Sequence, residues 1–267
     1  MSEAERRAVV RALLGRLIDH AALFPPASMG MPEAMEADRR ARASEHAWIL
    51  DRFIVPASRL GELPPEAPPL SVVLDGGEGD VEGVAEAIAG GRRVELVEAR
   101  IDPASIPGTQ ALVREKLPGV RAFWELPPSR ALGAEVAAVR EAGAGAKIRC
   151  GGTTLPSVEE VAAFVAACRD AGVPFKATAG LHHPIRSGDR HGFLNLLAAA
   201  VFADGDLEAI VGEEDPAAFT VDGDGFGVHG RRAGAERIAA ARRELFVAYG
   251  SCSFDEPAED LIALGWL

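Results

Sequence analysis

Short runs of β-type residues alternate with alanine-rich helical stretches along almost the whole chain. This order restricts the fold more than any other feature. The candidate strands are RFIVP (52–56), LSVVLD (70–75), RVELVEA (93–99), VRAFWEL (120–126), AKIRCG (146–151), PFKATAG (174–180) and LFVAYGS (245–251). Helical segments lie between them, among them GDVEGVAEAIAGG (79–91), ALGAEVAAVREAGAG (131–145) and SVEEVAAFVAACRDAGV (157–173). The last opens on Ser157 and Glu160, which have the spacing of a capping box. Repeated strand–helix order predicts a parallel sheet. An eighth strand is expected at AALFPPA (21–27), and EPAEDLIALGWL (256–267) supplies a final helix. The expected fold is therefore α/β, a (β/α)8 TIM barrel occupying residues 1–267 as a single domain. An extra helix precedes it, with Val9, Leu13 and Leu17 on one face, flanked by Val10, Leu14 and Ile18. An open doubly wound sheet is the alternative, but no GxGxxG follows an early strand.

A formal net charge of −12 argues against nucleic acid as a partner, because phosphate neutralisation needs clustered lysine and arginine. It leaves room for a local cationic pocket for a small anionic metabolite. The three cysteines, Cys150, Cys168 and Cys252, form no CxxC pair and no disulfide framework, which suits a reducing cytoplasm. No apolar stretch reaches the roughly 18 residues of a membrane span, so no membrane partner is expected. Barrels of this size often pair, so a homo-oligomer is compatible with the sequence. Residues 181–244 interrupt the regular pattern with a helix (192–203) and the stretch EEDPAAFTVDGDGFGVHGRRAGA (213–235). DGDGFG lacks the late glutamate of a calcium loop, since the twelfth position from Asp222 is Ala233, and it reads as a turn or small hairpin.

Only three of the 28 basic residues are lysines: Lys116, Lys147 and Lys176. An arginine-rich chain that keeps lysine inside strands suggests that the ammonium itself matters there. Alternation along PFKATAG sends Phe175, Ala177 and Ala179 to the helices and Lys176, Thr178 and Gly180 inward. In AKIRCG the inward set is Lys147, Arg149 and Gly151, and in AFWELPP it is Phe123 and Glu125. Asp75 ends one strand and Glu98 sits near the end of the next. These charges gather at the C-terminal strand ends, the catalytic face of such barrels. Buried ion pairing such as Lys147–Glu125 is the structural alternative, but such pairs stabilise weakly because desolvation offsets their attraction. His182 and His183 follow in the next loop, one expected to act as an acid/base and the other to be structural, and His191 starts the helix beyond. His20, His46 and His229 read as structural. In GSCSFDEP (250–257), Ser253 and Glu256 have capping-box spacing, while Ser251, Ser253 and nearby amides suit an anion. RCGGTT (149–154) offers further amides, and Asp19 reaches the same mouth if the first strand is placed correctly.

A lysine beside another cation in a low-dielectric pocket has a lowered pKa and becomes a nucleophile toward carbonyls. AKIRCGG and FKATAG resemble the strand 6 and strand 7 segments of lysine-dependent barrel aldolases of the deoxyribose-phosphate aldolase type. That resemblance implies Lys147 as the Schiff-base residue and Lys176 as its partner, with no cofactor. Ile148 and Arg149 stand where those enzymes carry small hydroxyl residues. KIRCGG, FKATAGLHHP and GSCSFDEP together are similar to a group of bacterial proteins to which no activity attaches. Three readings follow. The first is an aldolase-like lyase forming a lysine imine with a small anionic carbonyl compound. In it Glu125, His182, Asp75 or Glu98 moves protons, Arg149 holds the anion, and Thr178 and His183 line the site. The second is a metal-assisted lyase or isomerase using His182 or His183 with Glu125 and Asp75, although no metal-ligand spacing such as HExxH is present. The third is a non-catalytic barrel that binds an anionic metabolite.

Overall fold

The computed structural model describes residues 3–152 and 155–267. Eight parallel strands close into a barrel. They are β1 (Ile18–His20), β2 (Leu50–Pro56), β3 (Leu70–Val73), β4 (Val94–Arg100), β5 (Arg121–Glu125), β6 (Gly145–Arg149), β7 (Phe175–Thr178) and β11 (Phe246–Ser251). Closure runs through β1–β11–β7, so the last strand lies between the first and the seventh. Apolar outward faces are covered by α2 (Met31–Ala43), α3 (Asp80–Ala89), α4 (Ile106–Lys116), α5 (Leu132–Ala142), α6 (Val158–Ala171), α7 (Phe193–Val201) and α10 (Asp255–Ala263). After β2 the chain makes only a 3-10 turn, Ala57–Glu62.

The extra N-terminal helix α1 (Glu3–Leu14) buries Val9, Val10, Leu13 and Leu14. It packs on α9 (Ala235–Glu244) and on a three-stranded antiparallel sheet of β8 (Phe219–Asp222), β9 (Gly225–Val228) and β10 (Arg231–Ala233). This sheet and the short helix α8 (Leu207–Gly212) before it lie in the irregular insertion, between α7 and α9. The DGDG segment is its first turn: Asp222 Oδ1 accepts from the amides of Asp224 (2.9 Å) and Gly225 (3.2 Å). Arg242 fastens α9 to the chain after α1 by donating to the carbonyls of Leu13, Gly15, Arg16, Phe246 and Val247.

The first strand departs from expectation. It is Ile18–His20, and residues 21–27 form the loop that follows it. Pro25 and Pro26 have no amide to donate to a ladder. After the Ala21 amide bonds to the Ser251 carbonyl (2.6 Å), the chain turns back, with the Phe24 amide on the Ala21 carbonyl (2.9 Å). The shift places Asp19 inside a strand.

Inward and outward sets follow from alternation. Phe175 stacks outward on Phe246 and meets Phe164 of α6 edge-on, so Lys176 points in. Trp124 points out and donates Nε1–H to Gln110 of α4 (3.1 Å), so Phe123 and Glu125 point in. In β11 a register shift between Phe246 and Ala248 interrupts the alternation, so that beyond the outward Phe246 it is Tyr249 that stacks outward on Phe193 of α7 and Ala248 and Gly250 that turn inward. A Cβ on Gly145 would lie 2.3 Å from the Phe123 ring, so only glycine lets that ring lie across β6.

Candidate active site

Inside the barrel the ionised side chains form one continuous chain. Lys147 and Lys176 are register partners on adjacent strands, and Glu125 is the partner of Lys147 on the other side. Lys176 Nζ lies 2.5 Å from Asp19 Oδ2 and also donates to Glu98 Oε1. Glu98 accepts from Ser71 Oγ (2.5 Å) and, through its second oxygen, from Lys147 Nζ (3.1 Å). Lys147 Nζ also lies 3.1 Å from Glu125 Oε2. Arg149 completes the series, with Nε 3.1 Å from Glu125 Oε1 and Nη2 3.4 Å from Oε2. Asp19 is further held by the amide (3.1 Å) and guanidinium (3.4 Å) of Arg52.

The protonation states follow from competing terms. Burial pushes the Glu98 carboxyl up, but Lys176 and Lys147 together outweigh it and hold the group far below the usual carboxylate range. Glu125 is likewise lowered: burial opposes its ionisation, and Lys147 and Arg149 overcome that opposition. Burial would lower Lys176, yet Asp19 and Glu98 raise it above the ordinary lysine value. The sequence led to a lysine depressed by its cationic neighbour. At Lys176 the carboxylates on β1 and β4 reverse that sign, so this ammonium is a fixed charge.

Above this network lies a cavity of about 800 Å³, within the range of small-molecule sites. Its floor includes Glu98 and Lys147, and Arg149, Thr178, Gly250, Ser251, Cys252, His182 and His183 stand around it. Lys176 is 1% exposed and does not line it. Lys147 is therefore the lysine a ligand meets, and Lys176 the charge beneath. The loops after β6 and β7 touch through their glycines: a Cβ on Gly151 would lie 2.7 Å from the Gly180 Cα, and Gly180 has φ +70°.

The loop histidines are anchored by the helix after β11. His182 Nδ1 lies 3.0 Å from Glu256 Oε2 and 3.8 Å from Cys252 Sγ. The Cys252 contact raises the His182 pKa, partial burial opposes the rise, and Glu256 adds to it. His183 Nδ1 lies 2.7 Å from Asp260 Oδ2 at the rim. Ser253 Oγ accepts from the Glu256 amide (3.2 Å), and Ser251 Oγ donates to the Ser253 carbonyl (2.6 Å), so both hydroxyls shape the start of α10. His191 sits outside the cavity and bridges Pro156 and Arg186.

Asp75 is not brought to the cavity. It is exposed and accepts from Ser58 Oγ (2.6 Å) and the Ser58 amide (3.0 Å), tying the end of β3 to the turn after β2. In RCGGTT, Thr153 and Thr154 lie outside the described residues. Ser71, Cys252 and Arg190 are additions that the sequence did not single out. The inward parity of Ser71 within LSVV was available, but nothing in the strand marked its hydroxyl as a partner of Glu98. Among the described residues, no group of three or more His, Cys, Asp or Glu side chains is arranged to hold a metal ion. No helix among them is long and apolar enough to cross a membrane.

Eight parallel strands closed into a barrel, with helices packed outside them, define a (β/α)8 barrel. No protein-family model and no curated protein matches the sequence. Among solved structures, "QR15, an Aldolase" aligns at 12% identity over 94% of this chain and 96% of that one, with a TM-score of 0.54. Dihydropteroate synthase from Xanthomonas albilineans aligns at 16% identity over 95% and 92%, with a TM-score of 0.44. At 12% identity the likeness to the first of these is one of fold alone.

Proposed function

We propose that the protein is an aldolase-like lyase in which Lys147 forms an imine with a small anionic carbonyl compound. The observation that carries this reading is the division of labour between two register-paired lysines. Lys147 opens into the cavity with a carboxylate 3.1 Å away on either side, while Lys176 is sealed below as a permanent ammonium. Imine formation needs Lys147 to surrender a proton before it attacks. Glu98 and Glu125, whose own pKa values are held down, position the nitrogen rather than take its proton, which leaves toward the cavity side. Addition of the amine to the carbonyl gives a carbinolamine, and loss of water gives an iminium with the same charge as the ammonium it replaces. The carboxylates that balance the resting lysine therefore also balance the iminium, without reorganisation. An adjacent carbon–carbon bond can then break with its electron pair drawn into the iminium, leaving a neutral enamine. His182, on the cavity wall with a raised pKa, is placed to exchange protons with the departing or entering carbonyl oxygen. Arg149 and the amides around Gly250 suit an anionic substituent.

The aldolase named among the structural matches agrees with this assignment at the level of fold. The metal-assisted reading finds no donor cluster among the described residues. The test is borohydride reduction with a panel of aldehydes, ketones and keto acids, read by intact mass and peptide mapping. A ligand-dependent adduct on Lys147, absent in Lys147→Ala, is the expected result. An adduct mapping elsewhere, or none across the panel with the protein folded, overturns the reading and leaves a barrel that binds anions without imine chemistry.

A further inference from the structure

The walls of the cavity are chemically unequal. On one side stand the cations and histidines Lys147, Arg149, His182, His183 and Arg190, with the carboxylates Asp189 and Glu256 among them. On the other, the loop after β1 and the ends of β2 and β3 contribute Phe24, Pro25, Pro26, Ile54 and Val73, with Ala21 beneath. No side chain on that second wall carries a hydrogen-bonding group. Leu155, in the loop after β6, also lines the cavity, and it is one of only two large apolar side chains exposed among the described residues. A polyhydroxylated chain laid along this wall would lose water from its hydroxyls and find no side-chain partner for them.

From this asymmetry we infer the substrate class: a carbonyl compound with an anionic group at one end and an apolar tail, aryl or branched alkyl, at the other. The inference rests on the imine reading for the position of the carbonyl, which lies at Lys147 between the two walls. Arg190, whose guanidinium is paired with no carboxylate among the described residues, and Arg149 face the anionic end. The tail lies against Phe24, Ile54 and Val73. A cavity of about 800 Å³ has room for such a molecule and far exceeds the needs of a three-carbon sugar phosphate.

The test uses the full chain with three carbonyl probes: 4-phenyl-2-oxobutanoate, pyruvate and glyceraldehyde 3-phosphate. At limiting concentration with borohydride, the phenyl keto acid is expected to label Lys147 at least tenfold faster than either other probe, in the range that apolar pocket contacts supply. In Phe24→Ser the ratio of phenyl keto acid to pyruvate labelling should fall about tenfold, and in Val73→Ser by a smaller factor. Preference for the sugar phosphate, or an unchanged ratio in both variants, overturns the inference while leaving imine chemistry intact. A separate arm needs no imine: 4-phenylbutanoate, which has no carbonyl, is titrated by NMR line broadening against glycerol 3-phosphate on the unaltered protein. Tighter binding of 4-phenylbutanoate supports the apolar wall even if no adduct forms. Tighter binding of glycerol 3-phosphate, or no binding of 4-phenylbutanoate, overturns it. Should a variant fail to fold, the probe comparison on the unaltered chain decides alone.

Discussion

Replacing Lys176 with methionine probes the centre of the barrel. The side chain is 1% exposed, and its ammonium touches Asp19 and Glu98, which are themselves buried. Removing one partner of a buried ion pair costs about 3–5 kcal/mol, because a carboxylate is left without compensation. Here the lower end applies. Asp19 keeps Arg52, and Glu98 keeps Lys147 and Ser71, so neither charge is wholly abandoned. A loss of about 3 kcal/mol, at about 2–4 °C per kcal/mol for domains near this size, lowers the melting temperature by roughly 6–12 °C. The loss should also depend on pH. Lys176 has a raised pKa, so its contribution is complete below the unfolded value of about 10.4 and fades only as pH rises through the folded one. Glu98 has a lowered pKa, so its contribution is complete above about 4.3 and fades as pH falls toward the depressed value. In the variant, burial acts on Glu98 with one ammonium fewer against it, so its pKa rises and protonation at lower pH relieves the unbalanced charge. The deficit should therefore be larger at pH 8 than at pH 5. Thermal and urea melts of both proteins at the two pH values measure it. A deficit below about 1 kcal/mol at pH 8, the range of exposed pairs, would refute the argument that this ammonium is clamped between two desolvated carboxylates.

His182 should titrate above its ordinary value of about 6.5 by NMR, and Cys252→Ala should lower the midpoint; an unmoved midpoint contradicts the contact. Because that pKa is raised, its stabilising effect is present below about 6.5 and disappears as pH rises through the folded value. Burial pushes the Cys150 thiol up to about 12 and raises Cys168 as well, so a thiol reagent should label Cys252 first in the native protein, with the other two reacting only on unfolding. Prior labelling of Cys150 would show that the β6 end opens on its own. Ser157→Ala removes a capping box in which Ser157 and Glu160 bond reciprocally, and should cost about 1 kcal/mol in a urea melt. An unchanged midpoint would mean that α6 is held by packing alone.

Much of the barrel could be read along the chain because its signals are local. Seven strand positions followed from short β-type runs between alanine-rich segments, and the inward parity of Lys147, Lys176, Arg149 and Glu125 followed from simple alternation. The first strand was misplaced by a few residues because AALFPPA is apolar enough to look buried. Its prolines actually shape a loop that becomes one wall of the cavity. Asp75 seemed a site residue from its position at a strand end, but no pattern in the sequence announces that Ser58 would claim its carboxylate.

The sequence by itself determined the strand–helix order and the two lysines that enter the barrel. Only the closed tertiary structure decided what those lysines are. Asp19 and Lys176 stand 157 residues apart, on strands separated by β11, and they meet because that strand turns the small Ala248 and Gly250 inward between them. Closure thus sets a carboxylate from the first strand and another from the fourth against Lys176, which fixes it as an ammonium and leaves Lys147 as the lysine at the cavity floor. Protonation state depends on distance and burial, and the order of residues along a chain specifies neither until the barrel is shut.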